Sequence, residues 1–156
     1  MTTPAETIRV LHVDDDPGLR DVVGAALERA DDRFAVESAA DAAAALDRLD
    51  DDVDCVVSDY EMTDRNGVEF LQAVRESWPD LPFILFTAKG SEAVASEAIS
   101  AGVTDYLRKG TDSSQYAVLA NRISNAVERY RSKRRAERLE REYRLVAEAA
   151  TDAFWT

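Results

Sequence analysis

The sequence has little cysteine and no long apolar run. Cys55 is the only cysteine among the 156 residues, which excludes a disulfide framework and a zinc site built from cysteines. No stretch approaches the roughly 18 consecutive apolar residues that cross a bilayer, so no membrane partner is expected. The opening residues MTTPAETIRVLHV carry no basic segment before the apolar stretch. We therefore expect no signal peptide and a cytoplasmic location.

Positive charge is scarce as well. The chain has 31 acidic and 19 basic residues, a net charge of −12, and only three of the basic residues are lysines. A chain of this charge is a poor match for a phosphate backbone, so we expect it to contact no nucleic acid. An acidic, lysine-poor surface resembles the proteins of salt-loving archaea, where excess carboxylates keep a protein hydrated in brine. An acidic mesophilic protein is the alternative.

The charge is unevenly distributed along the chain. Residues 129–144 hold eight arginines and lysines against three glutamates, a local charge of +5, and the last twelve residues carry −2. Since the whole chain carries −12, the first 128 residues carry −15. This shift in composition predicts a domain boundary near residue 128.

The first 128 residues alternate between strand-like and helix-like patterns. Between the strand-like runs, Pro17 suits a first helical turn, Asp41 can cap a helix, and Gly102 suits a left-handed position after one. The runs that indicate strands are residues 8–13, 34–39, 55–58, 83–87 and 105–107. The alternation predicts an α/β fold, a flavodoxin-like doubly wound parallel sheet of order 2-1-3-4-5. Sites in such sheets lie beyond the carboxyl ends of the strands.

The C-terminal part predicts one long helix, from about Gln115 to Ala150. No proline or glycine follows Gly110. Spacings of 3, 4, 3 and 4 residues form a two-heptad apolar seam, typical of a short coiled coil, at Ala136, Leu139, Tyr143, Val146 and Ala150. The upstream positions Ile123, Val127 and Tyr130 lie on a different stripe. We expect one stripe to pack on the domain and the other to meet a partner, and a homodimer through this helix is one such pairing.

Charged and hydroxyl side chains, with one alanine among them, end or follow four of the predicted strands. They are Asp14, Asp15 and Asp16 after the first, Asp59 after the third, Thr87 and Ala88 at the end of the fourth, and Arg108 and Lys109 after the fifth. Carboxylates gathered at one sheet edge repel each other unless a cation compensates them. Mg²⁺ with a phosphate suits such a site, which predicts phosphoryl transfer to a carboxylate. The nearby His12 is expected to pack in its strand.

These segments resemble the receiver domain of two-component response regulators. The resemblance covers residues 7–127 and rests on VLHVDDDPGLR (10–20), VVSDYEM (56–62), NGVEFL (66–71), FILFTA (83–88) and GVTDYLRKG (102–110). It implies a phosphoacceptor that a histidine kinase or a phosphotransfer protein phosphorylates, and a signalling module instead of an enzyme.

The resemblance also implies the ligands of a Mg²⁺ ion and the acceptor of the phosphoryl group. Asp14 and Asp15 are the acidic pair that holds the metal. Asp59 is the phosphorylated residue and a further ligand, and the backbone carbonyl of Glu61 completes the protein's ligands.

The remaining roles concern the phosphoryl group and the response to it. Thr87 and Lys109 are implied to contact the phosphoryl oxygens, with Ala88 beside them, and Tyr106 to be an aromatic switch that turns inward when Thr87 moves. The implied output is a rearranged surface around strands 4 and 5 and the helices after them, a shift between two populations.

Three residues depart from the family pattern. Thr63 replaces a usual proline, which we expect to loosen its loop, and Glu61 adds a carboxylate beside the acceptor. Gly110 replaces the proline of a cis Lys-Pro pair. Because a cis non-proline peptide costs about 3–4 kcal/mol, we expect a trans bond between Lys109 and Gly110.

The segment REYRLVAEAATDAFWT (141–156) resembles the opening of a PAS sensory domain. With it, the chain divides into a receiver domain (7–127), a helical linker that continues the last helix (128–150) and the truncated start of a possible PAS domain (151–156). A receiver with an amphipathic C-terminal helix alone is the alternative.

Three other functions stay open at this point. An Mg²⁺-dependent phosphatase with an aspartate nucleophile would use a similar sheet, but the first 128 residues leave no room for a cap. A DNA-binding regulator is disfavoured because the basic segment is one helix attached to a domain of charge −15. A receiver-like interaction module that is never phosphorylated is the third.

Overall fold

The computed structural model describes residues 6–88 and 90–155, with strands and helices in strict alternation. The elements are β1 (Ile8–Val13), α1 (Pro17–Ala30), β2 (Phe34–Ala39), α2 (Ala42–Arg48), β3 (Cys55–Ser58), α3 (Gly67–Ser77), β4 (Phe83–Thr87), α4 (Glu92–Ser100), β5 (Asp105–Arg108) and α5 (Ser114–Trp155). All strand pairs are parallel and the order is β2-β1-β3-β4-β5. The predicted fold and strand order are confirmed.

Helices cover both faces of the sheet, which explains the nearly uninterrupted apolar strands. Every residue of β3 and β4 is buried. On one face, Leu11 of β1 packs with Ala45, Leu71 and Ala98 of α2, α3 and α4. On the other face, α1 and α5 pack on alternate residues of the same strands. A strand buried on both faces has no polar side to alternate with.

Side-chain caps set where the helices begin. The carboxylate of Asp16 accepts from the backbone N–H groups of Gly18 and Leu19, with Pro17 in the first turn of α1. The predicted cap Asp41 accepts from the N–H of Ala44 at 2.8 Å. After α4, Gly102 adopts a φ of +90°, as the sequence predicts. Such caps satisfy the free N–H groups of a first turn, so the starts follow local chemistry.

The last helix is longer than predicted and divides into two parts. Its first part packs on the domain through Leu119, Ile123 and Val127, which are fully buried. Residues 132–153 are exposed throughout. Helical structure also continues through residues 151–155, where the sequence suggested a new domain. Within the described ranges, no helix is both long and apolar enough to span a membrane.

Ion pairs hold α5 at the amino-terminal edge of the sheet. The Arg131 guanidinium lies 3.1 Å from Asp54 and donates to the Thr7 carbonyl at 2.6 Å, while Lys133 Nζ lies 3.1 Å from Asp80. The exposed part of the helix therefore leaves the domain at the edge opposite the carboxyl ends of the strands.

Candidate functional site

The predicted site residues come from separate segments that end at one edge of the sheet. Parallel pairing of β1 with β3 places Val13 beside Ser58, so Asp14 and Asp59, the next residues, leave the sheet side by side. Pairing of β4 with β5 places Thr87 beside Arg108, just before Lys109. Because parallel strands end together, residues far apart in sequence are neighbours here.

One ammonium group joins the two carboxylates. Lys109 Nζ lies 3.1 Å from Asp14 Oδ2 and 3.2 Å from Asp59 Oδ2. The side chains are 12%, 1% and 15% exposed for Lys109, Asp14 and Asp59. Nζ also lies 5.6 Å from the centroid of the Phe86 ring. In this partly desolvated place, the two carboxylates repel each other and the ammonium group of Lys109 compensates both.

Backbone groups fix the orientation of both carboxylates. The N–H of Asp16 donates to Asp14 Oδ1 at 3.0 Å, and the N–H of Tyr60 donates to Asp59 Oδ1 at 2.7 Å. Each aspartate therefore presents its second oxygen, Oδ2, to Lys109. Arg20, which was not among the predicted site residues, donates from its guanidinium to the Asp14 carbonyl at 2.7 Å. Its place in the first turns of α1, near the site, is the signal that could have indicated it.

The other predicted residues surround this trio in different ways. Thr87 is buried at the end of β4, and its carbonyl accepts from the backbone N–H of Lys109 at 2.9 Å. Asp15, Glu61 and Ala88 are exposed. The structure thus brings Asp14, Asp59 and Lys109 into direct contact, with Thr87 buried nearby at the end of β4 and the three exposed residues at the rim.

The oxygen atoms at this edge fit a Mg²⁺ ion. In the described part of the chain, no three His, Cys, Asp or Glu side chains form a cluster that could hold a metal. Mg²⁺ does not require such a cage, because it is usually bound by one or two carboxylates together with water and substrate phosphate. Asp14 and Asp59, whose carboxylates both contact Lys109, supply the two carboxylates that such a site needs.

The loop after Lys109 has the expected trans geometry. No cis peptide bond occurs within residues 6–88 and 90–155, so the bond between Lys109 and Gly110 is trans. The N–H of Gly110 donates to the side-chain oxygen of Gln115 at 2.8 Å. Because glycine has the N–H group that proline lacks, this hydrogen bond anchors the loop to the start of α5.

Tyr106 lies in a slot that only a glycine leaves open. Its ring is half-buried, and its hydroxyl is buried without a hydrogen-bond partner among the described residues. A Cβ atom added at Gly90 would lie 2.2 Å from that hydroxyl oxygen. The lack of a side chain at position 90 is thus what admits the tyrosine.

His12, the only histidine, is buried in β1 near the site. Burial lowers its pKa from 6.5 to about 4; the Asp14 carboxylate opposes this and Lys109 adds to it. Its Nδ1 atom has no hydrogen-bond partner in the described part of the chain. The expected packing role agrees with this burial, and the side chain is neutral at physiological pH.

His12 should make the fold less stable in mild acid. Between pH 6.5 and 4 the unfolded chain binds a proton at His12 that the folded chain excludes, so the free energy of unfolding falls as pH falls. The expected loss is about 2–3 kcal/mol. Urea unfolding across this range should show it, and His12→Leu should lose that part of the slope. Equal slopes for both chains would contradict the assignment.

Comparison with known proteins agrees with the fold. The chain matches the response regulator receiver domain over residues 10–121. It is 38% identical over 101 residues to the transcriptional regulatory protein CpxR of Escherichia coli, an alignment that covers 65% of this chain and 42% of that protein. It is 34% identical to the response regulator Rre1 of Synechocystis, covering 76% of this chain and 52% of that protein.

A third relative is the bacterioopsin transcriptional activator of Halobacterium salinarum, 36% identical over 124 residues, or 78% of this chain and 18% of that protein. The chain thus spans about half or less of these relatives.

Solved structures show the same architecture. A CheY-like receiver domain of Methanospirillum hungatei superposes with a TM-score of 0.72 at 23% identity, covering 81% of this chain and 98% of that one. The beryllofluoride-activated NtrC4 receiver domain dimer superposes with a TM-score of 0.67 at 29% identity, covering 78% and 98%. With the strand order and the charged trio at the sheet edge, these matches lead to one conclusion: the chain belongs to the response regulator receiver domain family.

Proposed function

We propose that Asp59 accepts a phosphoryl group from a histidine kinase or a phosphotransfer protein in a Mg²⁺-dependent reaction. The observation that carries this proposal is the contact of Lys109 with both Asp14 and Asp59 at 3.1 and 3.2 Å. This contact supports a site at which a carboxylate accepts an anionic group while a cation is held beside it.

Each residue of the site has a separate role in this transfer. Asp59 Oδ2, the oxygen that the Tyr60 N–H does not hold, attacks phosphorus. An O–P bond forms as the P–N bond to the donor imidazole breaks, and the electron pair of that bond stays on the imidazole nitrogen. Lys109 and the Thr87 hydroxyl then hold the phosphoryl oxygens, with Ala88 beside them. Because backbone groups orient the aspartates beforehand, little reorganisation is needed.

The proposed Mg²⁺ site lies at the same edge of the sheet. We assign its ligands to the carboxylates of Asp14 and Asp59, and the family resemblance adds the exposed carboxylate of Asp15 and the backbone carbonyl of Glu61. When bound, the ion supplies positive charge that neutralises the phosphoryl oxygens. The exposed carboxylate of Glu61 adds negative charge to the rim of the site.

Treatment with acetyl phosphate tests this function directly. With Mg²⁺, intact-mass spectrometry should show one phosphoryl group per chain, and none for Asp59→Asn because the nucleophile is gone. The matched control is Asp52→Asn, an exposed aspartate near Arg9 at the opposite sheet edge, which should be phosphorylated like the parent. Phosphate uptake by Asp59→Asn would refute the assignment. Turnover of small phosphomonoesters would favour the phosphatase alternative.

We further propose that Tyr106 and Thr87 form the switch that carries phosphorylation to the surface of β4 and β5. Tyr106 is part of β5, and its hydroxyl lies against Gly90 in the loop between β4 and α4. A movement of Thr87 would shift the loop that follows β4, and Tyr106 lies against Gly90 in that loop.

Gly90→Ala should displace Tyr106 while leaving the fold intact. The new methyl group would occupy the place of the hydroxyl oxygen, and a tyrosine side chain yields more easily than backbone. NMR of the Tyr106 ring should show a changed position in the unphosphorylated chain. Gly110→Ala is the control, since its Cβ would meet nothing closer than 4.0 Å. An unchanged Tyr106 signal in Gly90→Ala would argue against the slot.

The wider setting completes the proposal. We propose a receiver domain at residues 7–127, a helical linker at 128–150 and the start of a PAS domain at 151–156. Exchange of phosphate with a histidine kinase places the chain in the cytoplasm, and the charge of −12 suits a halophilic origin. We also propose that α5 joins two copies of the chain.

A further inference from the structure

The exposed part of α5 carries an apolar seam that the domain does not cover. Leu139, Tyr143 and Val146 are 58%, 78% and 69% exposed, although their residue types are usually at least half-buried. They repeat with Ala136 and Ala150 at the 3,4 spacing of a coiled coil. Because every residue from 132 to 153 is exposed, nothing within the described chain packs on this seam.

The seam faces away from the domain. Helical residues turn by about 100° each, which places the seam about half a turn from the stripe that packs on the sheet. That buried stripe is Leu119, Ile123 and Val127. Two helices joined along the seam would therefore carry their domains on opposite outer sides. The domains would not collide, and Asp59 would stay accessible at the far edge of each sheet.

Charges beside the seam favour a second copy in parallel orientation. With Ala136 and Leu139 at positions a and d, Arg135 occupies g and Glu140 the following e position. In a parallel, in-register pair, each g residue faces the e residue five positions later in the partner helix. Arg135 of one chain would then face Glu140 of the partner subunit, and this opposite-charge pair occurs twice.

The high positive charge of this segment does not oppose such a pair. The outward b, c and f positions near the seam hold four further arginines: Arg134, Arg138, Arg141 and Arg144. They face solvent, where salt screens them. One of them, Arg144, already pairs with Glu140 of its own helix at 3.0 Å.

We propose that two copies of this chain associate through Ala136, Leu139, Tyr143, Val146 and Ala150 as a parallel, in-register two-stranded coiled coil. This inference deepens the proposed joining of two copies through α5. It does not require phosphorylation of Asp59, because the seam is already exposed in a helix that leaves the opposite edge of the sheet. The unphosphorylated chain should therefore dimerise.

Sedimentation of the untreated full chain tests the seam. Dimer should form with rising concentration, and Leu139→Glu should raise the dissociation constant at least tenfold, since a charge would replace an apolar contact in both helices (about 1.4 kcal/mol or more). Leu145→Glu is the matched control, because Leu145 is 65% exposed but lies off the seam. A chain that stays monomeric up to its solubility limit, or equal weakening by both variants, would overturn the proposal.

Cysteine cross-linking tests the orientation. Leu139→Cys and Val146→Cys, made separately, should each form an intermolecular disulfide on mild oxidation, since parallel register brings every d position against itself. An antiparallel pair can bring only one of the two positions to its symmetry axis. Cross-linking of one variant alone, or of neither, would overturn the parallel register. The native Cys55 is buried and serves as the unlinked background in the parent chain.

A charge exchange tests the flanking pair. Arg135→Glu should weaken the dimer severalfold, because it would face Glu140 of the partner subunit with like charge. The double variant Arg135→Glu with Glu140→Arg should recover the parent's dissociation constant. Failure of this recovery would remove the pair from the interface. As none of these measurements uses phosphate, a failed Asp59 assignment would leave their outcome unchanged, and the reverse also holds.

Discussion

Lys109→Met should lower the free energy of unfolding by about 3–5 kcal/mol. The ammonium group lies 3.1 Å from Asp14 and 3.2 Å from Asp59, and all three side chains are largely withdrawn from water. Methionine keeps most of the length of the side chain but removes its charge, so two carboxylates would face each other without a cation. Urea denaturation of the metal-free protein measures the loss.

Lys133→Met is the matched control for this experiment. Lys133 Nζ also lies 3.1 Å from a carboxylate, that of Asp80, but the two side chains are 55% and 48% exposed. Exposed pairs contribute about 1 kcal/mol or less, so this loss should be small. Equal losses of unfolding free energy in the two variants would show that burial does not strengthen the ion pairs of Lys109. Added Mg²⁺ should stabilise Lys109→Met more than the parent, because no ammonium group competes for the carboxylates.

Gly67→Ala should destabilise the fold by about 3 kcal/mol, the upper end of the usual cost of overpacking, and displace the acceptor aspartate. A Cβ atom at position 67 would lie 2.5 Å from the carbonyl oxygen of Asp59, 2.7 Å from Leu85 Cδ1 and 3.0 Å from Tyr60 Cα. Two of these atoms belong to the backbone that carries Asp59, and the N–H of Gly67 donates to the Tyr60 carbonyl at 2.7 Å. The collision cannot be relieved by turning a side chain.

Gly24→Ala shows the opposite case within the same fold. Gly24 lies inside α1, and an added Cβ would meet its nearest neighbour, Val36, at 3.7 Å, an ordinary contact. Alanine should therefore stabilise the helix by about 0.5–1 kcal/mol. Thermal unfolding of both variants measures the difference in sign. A small effect of Gly67→Ala would mean that the loop after β3 can move aside, and that it does not hold Asp59 rigidly.

The fold could be predicted closely because its signals are local. Runs such as 83–86 are apolar throughout since both faces of the sheet are covered, and Asp16, Asp41 and Gly102 act within a few residues of their own positions. The limits of the last helix were harder to predict. The helix is exposed from residue 132 to 153, so packing on the domain does not mark where it ends, and the chain from 114 to 155 contains neither glycine nor proline.

The residues that gather at the site could be predicted from the sequence, but not which of them contact each other. Strand ends indicated that Asp14, Asp59 and Lys109 would gather, since parallel strands finish at one edge. They could not show that Asp15 would be exposed while Asp14 is 1% exposed. Neighbouring residues in a chain leave a strand in different directions, and only the packing of the loop decides which one enters the site.

The sequence by itself determined the order of the elements, the edge where the charges meet and the spacing of the apolar seam, because each depends on residue type and interval. Only the tertiary structure decided which glycines must remain glycine, and why Arg75 donates to the carbonyls of Trp78, Leu81 and Gly102. Trp78 and Leu81 lie 3 and 6 residues from Arg75, but Gly102 lies 27 residues away. Their distances depend on how the whole core packs, and no interval along the chain records them.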